Sequence, residues 1–383
     1  MPDMVHELSD TDLETYSRQV VLADIGYEGQ LRLRNAKVCL VGVGGLGCPT
    51  ALKLAGMGIG YLRLVDRDIV SRSDLHRQYL YDSQSVGQPK VEAAYHRLHQ
   101  LNPDVSIDPI PASLTAGNAP DLLAGMDLVL DGLDRPEPRY IVNRTCHSLN
   151  IPYIFGAAIE SFGNVATLIP GRTFCLECFM PDLKDEDLPS CGVVGVHPAV
   201  LGIISAVQVS EAVRLVTGRE PKLLNKLMFI DLREFAFEIL NIEPLPSCPV
   251  CGSKPTGTAT PVRDRLIEET CARDGRRNFV ISPKTQLDID LDQLRAVLQR
   301  KGMVIKHAGM LGIAFQHSPD ITVSLLKSGT MTVQTTPIGA NINQSTVLDL
   351  YRSLLIDDLH IPAQNLPETP KDLQLEPACR SDH

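Results

Sequence analysis

Short apolar runs recur along the first 160 positions of the chain, among them Val38-Cys39-Leu40-Val41, Tyr61-Leu62-Arg63-Leu64-Val65 and Asp127-Leu128-Val129-Leu130-Asp131. Each reads as a buried strand, and the stretches between them carry helical spacing. That alternation predicts an α/β fold built on a Rossmann-like, mostly parallel sheet. Residues 12–35 precede it as one or two helices. Tyr153 to Ile159 and Asn164 to Ile169 read as further strands, the second antiparallel. Phe179 to Ser190 is acidic, proline-bearing and poorly periodic, as expected of a mobile crossover, and a long helix should start near Pro198.

After residue 253 the pattern changes. Residues 254–277 are polar, with Pro255, Gly257 and Pro261, and read as a linker between a first domain over 1–253 and a small α+β domain over 278–361. Strands are expected at Asn278-Phe279-Val280-Ile281, Met303-Val304-Ile305, Gly312 to Phe315, Ile321 to Leu326 and Thr330 to Gln334, with a hairpin turn at Ser328-Gly329. Leu291 to Lys301 and Gln344 to Leu355 have helical apolar spacing, so a sheet faced by two helices is the simplest packing. Residues 362–383, with scattered prolines and charges, are expected to be disordered.

The first strand runs directly into Gly42-Val43-Gly44-Gly45-Leu46-Gly47. Gly42, Gly44 and Gly47 match the dinucleotide fingerprint, and Asp66, at the end of the second strand, is placed to accept hydrogen bonds from a ribose. On the glycines alone a nicotinamide or flavin enzyme would lead, and glycines that merely pack a strand-to-helix turn are the plainer reading. The residues that follow reverse that order. Asp68, Asp74, Arg77, Gln78 and Lys90 come soon after Asp66, and an arginine and a lysine there suit a triphosphate better than a nicotinamide ring. Asp134 lies just past the Asp127–Asp131 strand, where ligands bind in open α/β sheets. No P-loop motif is present, so a nucleotide would be bound without one.

Composition narrows the class. A 44% hydrophobic and 21% charged chain is ordinary for a globular protein. Its net charge of −10, without a basic block, disfavours a nucleic-acid surface. The longest apolar stretch, His197 to Val209, is too short and interrupted to span a bilayer, and a cytoplasmic protein is expected. Ten cysteines then favour metal and thiol chemistry over disulfides. Cys39, Cys48 and Cys146 sit in apolar or helical contexts and read as core residues, whereas Cys271 and Cys379 look incidental.

Taken in order, Tyr16-Ser17-Arg18-Gln19, Gly42 to Gly47, Asp66 to Gln78, Lys90, Asp134 with Arg139 and Asn143, two Cys-x-x-Cys pairs and Cys191 resemble the ubiquitin-activating superfamily of MoeB, ThiF and HesA over roughly residues 12–253. The resemblance implies an enzyme that uses ATP and Mg2+ to adenylate the C-terminal Gly-Gly carboxylate of a β-grasp protein. By position it implies that Gly42, Gly44, Gly45 and Gly47 line the phosphates, that Asp66 holds the ribose, and that Arg77, Gln78 and Lys90 contact ribose and phosphates. Asp68 and Asp74 belong to the same nucleotide-binding set. Asp134 would hold magnesium or orient the triphosphate, and Arg18 would reach into a neighbouring protomer of a homodimer. Two departures stand out: Asp74 and Arg135 replace residues that are usually asparagine, and Arg135 is placed to offset the added charge of Asp74.

At the family's positions, Cys175, Cys178, Cys248 and Cys251 would complete a closed structural Zn2+ site, with buried free thiols as the alternative. Cys191 falls where the family keeps a thioester or persulfide cysteine. The leading expectation is therefore an activating enzyme for a ubiquitin-like protein, with a thioester on Cys191. Activation of a sulfur carrier for molybdopterin, thiamin or tRNA thiolation is the alternative, and a non-catalytic nucleotide-binding scaffold is a third. By position only, the C-terminal domain would recruit a conjugating enzyme or serve as a scaffold.

Overall fold

The computed structural model describes residues 7–185, 194–262, 264, 266–271, 276–336 and 342–368. Three helices open the chain where one or two were expected: α1 (Asp10–Thr15), α2 (Ser17–Val20) and α3 (Gly26–Asn35). Ser9 caps α1 by accepting from the Asp12 amide, and Tyr16 separates α1 from α2. The strands β1 (Lys37–Val41), β2 (Tyr61–Val65), β3 (Ser106–Ile110), β4 (Leu128–Asp131) and β5 (Tyr153–Ile159) run parallel in the order β3-β2-β1-β4-β5. Antiparallel β6 (Phe162–Leu168), β7 (Lys226–Asp231) and β8 (Ala236–Asn241) extend that sheet to eight strands. The expected α/β class with a mostly parallel sheet is what forms.

Helices cover both faces because the central strands are apolar on both sides: Val38, Cys39, Leu40 and Val41 are all buried. Leu40 and Val38 pack with α4 (Gly47–Gly56), α5 (Lys90–Leu101) and α9 (Pro198–Val216), whereas Cys39 and Val41 face α6 (Ala119–Leu123), α7 (Pro136–Leu149) and α8 (Leu176–Phe179). The apolar stretch expected to be too short for a bilayer belongs to α9, which at 19 residues is by length and composition long enough to cross one. Here it packs against α4, β5 and β6. Its Glu211 is buried and accepts from Thr167 Oγ1 and from the Lys222 and Leu223 amides, so the charge is accommodated inside the fold.

A second, six-stranded antiparallel sheet has the order β11-β12-β13-β14-β10-β9. Its strands are β9 (Ile267–Cys271), β10 (Arg277–Ile281), β11 (Val304–Ala308), β12 (Gly312–Ser318), β13 (Ile321–Leu326) and β14 (Met331–Thr335). With α10 (Leu291–Arg300) and α11 (Gln344–Arg352) it encloses a separate core around Phe279, Phe315, Leu325 and Tyr351. Two expectations change here. The stretch expected to be linker contributes β9, paired with β10 from Ile267↔Ile281 to Cys271↔Arg277; its sparse apolar content reflects an edge position. The start of the expected disordered tail is also packed: Leu366 is fully buried, and Pro367 O accepts from Arg352 Nη1. Residues 369–383 lie outside the described residues.

Candidate active site

In the parallel part of the large sheet the strand order reverses between β1 and β4, so the loops leaving these two strands diverge and open a crevice at the sheet's C-terminal edge. Gly42 leaves β1 with φ +90°, a conformation that side chains resist. Its carbonyl is wedged between two other glycines. A Cβ on Gly47 would lie 2.0 Å from Gly42 O, and one on Gly132 would lie 2.1 Å from it. Gly45 backs onto Leu201 of α9, whose Cδ1 would be 2.8 Å from a Cβ. Gly44 alone of the loop glycines has open space, its nearest neighbour being Gln78 Nε2 at 3.9 Å. The four glycines thus divide their work: Gly42, Gly45 and Gly47 let backbone and helix approach, and Gly44 keeps the crevice floor free of a side chain.

Asp66 ties the two loops together. Its carboxylate accepts from the Val43 amide at 2.7 Å and the Asp68 amide at 2.8 Å. Burial raises its pKa, opposed by Lys90. Lys90, the first residue of α5 and 7% exposed, lies 2.8 Å from Asp68 Oδ2. Partial desolvation works against ionising Asp68, whose side chain is 48% exposed, yet the Lys90 and Arg67 charges outweigh it and hold its carboxyl down at about 2. Burial likewise disfavours the Lys90 ammonium, but Asp68, Asp66 and Asp74 together raise its pKa.

Asp74 turns out to have an organising place within the protein. It is 6% exposed, and its Oδ2 accepts from Ser71 N and Oγ, both at 2.9 Å. Its Oδ1 accepts from Gln78 Nε2 at 2.8 Å and Arg77 Nη2 at 3.3 Å. Both Asp74 oxygens thus brace its own turn. Arg77, not Arg135, offsets its charge. Arg77 also donates to Ser73 O, folding back on its own turn. Gln78 is 2% exposed; its Nε2 lies nearest the opening at Gly44, and among the described residues nothing donates to its buried Oε1.

Past β4, Asp131 accepts from Arg139 Nε (3.0 Å), Tyr153 OH (2.6 Å) and the Leu133 amide (2.8 Å). Arg139 donates in turn to Leu133 O and Gly156 O, which fixes the 132–135 turn. Asp134 at its tip is exposed, and no protein partner holds its carboxylate among the described residues. Arg135 points elsewhere, to Glu268 Oε2 at 2.6 Å. Arg18 is exposed on α2 and joins none of these contacts. Cys191 lies outside the described residues. So do residues 186–193 of the expected crossover; the part before them is held by Leu183 N to Tyr140 OH and by Glu137 N to Asp185 Oδ1.

Away from the crevice, Cys175, Cys178, Cys248 and Cys251 come together with all four sulfurs within 4.8 Å of one another, a set that could hold a metal ion. Cys175 caps α8, and Asn143 Oδ1 accepts from the Leu176 amide, linking this cluster to the α7 helix that follows Asp134. Sequence reasoning missed three residues of the site region: Gly132, Glu92 and Glu268. Gly132, a glycine directly after a buried strand, carried a legible signal. Glu92 looked like one more helix charge, and Glu268 stood in a polar stretch with no pattern at all.

The ThiF family model matches residues 16–250 of this chain. SAMP-activating enzyme E1 of Haloferax volcanii is 36% identical over 270 residues, which cover 70% of this chain and 98% of that protein. Sulfur carrier protein adenylyltransferase of Thermus thermophilus is 40% identical over 254 residues, covering 64% and 93%. Adenylyltransferase and sulfurtransferase MOCS3 of Anopheles gambiae is 38% identical over 256 residues, and the match spans only 58% of that protein's length. Among solved structures, E. coli MccB with ATP superimposes with a TM-score of 0.55 at 25% identity, over 62% of this chain and 74% of that one. With its glycine turn, acidic β2 end and four-cysteine cluster in one matched span, this chain belongs to the ThiF family.

Proposed function

We propose that the protein is an ATP-dependent adenylyltransferase that activates the C-terminal glycine of a ubiquitin-like β-grasp protein. The observation that carries this reading is the crevice at the strand reversal. It presents a side-chain-free floor at Gly44, an unsatisfied buried acceptor in Gln78, a buried ammonium in Lys90 and an exposed carboxylate in Asp134. A nucleoside triphosphate fits that set: its hydroxyl or amino donors answer Gln78, and its phosphates answer Lys90 and Arg77. Asp134 would hold Mg2+, which when bound neutralises phosphate charge. The carrier's terminal carboxylate oxygen attacks the α-phosphorus, the bond from that phosphorus to the bridging oxygen breaks, and pyrophosphate leaves with its electron pair. Lys90 stabilises the charge that builds on the α-phosphate. The four-cysteine cluster would hold Zn2+, a closed sulfur shell of structural use.

In the next step the Cys191 thiolate attacks the acyl adenylate, forming a thioester and releasing AMP. The relatives named as an activating enzyme E1, a sulfur carrier protein adenylyltransferase and an adenylyltransferase and sulfurtransferase all support the first step; in the alternative a sulfur nucleophile consumes the adenylate instead. One experiment separates them. With ATP, magnesium and a cognate carrier, the protein should form a thiol-sensitive covalent adduct that Cys191→Ala abolishes while carrier-driven ATP–pyrophosphate exchange persists. Exchange without any adduct selects the sulfur-carrier version, and no exchange with a proven carrier overturns adenylation.

A further inference from the structure

The C-terminal sheet lies beyond the span of the family match, yet its contacts with the first domain converge on the candidate nucleotide site. Glu268 on β9 receives Arg67 in a two-point pair, Nη1 to Oε1 and Nη2 to Oε2, both at 2.7 Å. Its Oε2 also accepts from Arg135 Nη1 at 2.6 Å. Arg67 is the neighbour of Asp68, and Arg135 is the neighbour of Asp134. A second anchor sits on the other side of the Asp68–Lys90 pair. Glu92, two residues into α5 after Lys90 and 2% exposed, accepts from the Met310 amide at 3.0 Å and the Leu311 amide at 2.8 Å of the β11–β12 turn. The turn approaches so closely that a Cβ on Gly309 would lie 2.0 Å from Glu92 Oε1. A Cβ on Gly312 would come within 3.2 Å of Pro89, which precedes Lys90.

We propose that the C-terminal domain positions the adenylation site, with Glu268 as a positioning residue that draws Arg67 and Arg135 away from Asp68 and so leaves Asp68 paired with Lys90. The inference rests on the adenylation reading above. Its logic is charge competition. Two guanidiniums stand next to two site carboxylates, and a half-buried guanidinium deprived of its partner is drawn to the nearest anion. For Arg67 that anion is Asp68, which already feels the charges of Arg67 and Arg135. Once Arg67 engages Asp68, it competes with the Lys90 ammonium for the carboxylate that orients it. Glu268 prevents this by supplying a carboxylate from outside the site, and Glu92 fixes the start of α5 against the same domain.

The test is calorimetric titration of the full-length chain with Mg-ATP alone. Glu268→Gln keeps the shape and removes the charge, and it should weaken Mg-ATP binding about tenfold, within the range for residues sharing one charge network. Glu92→Gln puts an amide N–H against backbone donors and should weaken binding similarly by its own route. Lys284→Ala, at the exposed Lys284–Glu368 pair of the same domain, should leave it unchanged. The deciding variant is the double substitution Arg67→Gln with Glu268→Gln. It removes Arg67, the guanidinium next to Asp68, and should recover part of the affinity while Arg135 remains, whereas mere domain adhesion would leave it as weak as the single variant or weaker. If the wild-type chain binds no Mg-ATP, the adenylation reading itself fails. If wild type binds and a folded Glu268→Gln variant binds as tightly, or tighter, only the positioning role is overturned; so too if the double variant shows no recovery.

Discussion

Replacing Lys90 tests the adenylation site most directly, because one ammonium answers several carboxylates there. Its Nζ lies 2.8 Å from Asp68 Oδ2, and Asp66 and Asp74 also act on it. Lys90→Ala leaves these three acids facing one another without their shared cation. Removing one partner of a buried pair costs about 3–5 kcal/mol of stability. The Asp68 side chain is 48% exposed, so water replaces part of the lost contact and about 1–3 kcal/mol is the reasonable expectation here. Catalysis should suffer more than folding does. A donor aimed at the reacting centre contributes roughly 3–4 kcal/mol to the transition state, or about a hundred- to thousandfold in rate. Lys90→Met, which keeps most of the volume, should lose the same activity with a smaller fall in melting temperature, and Lys90→Arg should not restore it, because a planar fork does not replace a compact charge beside Asp68. ATP–pyrophosphate exchange driven by the carrier gives the rate, and thermal melting gives the stability. Near-normal exchange by Lys90→Ala would refute the assignment of Lys90 to the transferring phosphates.

Metal analysis of protein purified without chelator should find about one zinc per chain, and Cys178→Ser or Cys251→Ser should lower the melting temperature by about 5 °C or more; metal-free protein of normal stability removes the claim. If Arg18 completes a neighbouring protomer's site, inactive Arg18→Ala and Lys90→Ala homodimers should recover part of the exchange activity on mixing, and confirmed subunit exchange without recovery means that Arg18 does not act in trans. The Glu268 carboxyl, whose burial is outweighed by Arg67 and Arg135, sits at about 2 instead of 4.5. A depressed carboxyl contributes stability above its unfolded value, and that stability is lost as pH falls from about 4.5 to about 2, with an upper bound of roughly 3–4 kcal/mol. Glu268→Gln should flatten denaturation curves across that acid window, and an unchanged acid profile in the variant would show that the pair adds nothing.

How much of this was legible in the sequence depended on whether a residue's partner was local. The glycine turn, Asp66 and Lys90 lie at strand ends and a helix start, and strand-to-helix chemistry has a short-range pattern. Asp134 was placed by counting from a buried strand. The resemblance put Asp74 in the nucleotide set, but a motif does not show the hydrogen bonds a carboxylate accepts from its own turn, here from Ser71, Arg77 and Gln78. β9 escaped because an edge strand needs fewer apolar positions, and Leu366 escaped because one buried leucine makes no period. Glu268 was illegible for a deeper reason: its partners Arg67 and Arg135 are 201 and 133 positions away.

The same contacts bear on selectivity. In this structure each cation proposed to meet the triphosphate has a carboxylate of the protein as its partner: Lys90 has Asp68, and Arg77 has Asp74. A ligand with little charge gains nothing by displacing them, since breaking a charge-assisted contact must be offset by another at least as strong. A triphosphate brings enough negative charge to share each cation with its carboxylate. Gln78 would then supply what charge does not, because its Oε1 has no donor among the described residues and could accept from a hydroxyl or amino group of the nucleoside. On the proposed adenylation reading, carboxylate-held cations would select against weakly charged ligands, and an amide oxygen without a donor would favour a ligand that carries a nucleoside. Gln78→Leu should therefore weaken Mg-ATP more than inorganic triphosphate, and equal losses for both ligands in competition titrations would show that Gln78 does not face the nucleoside.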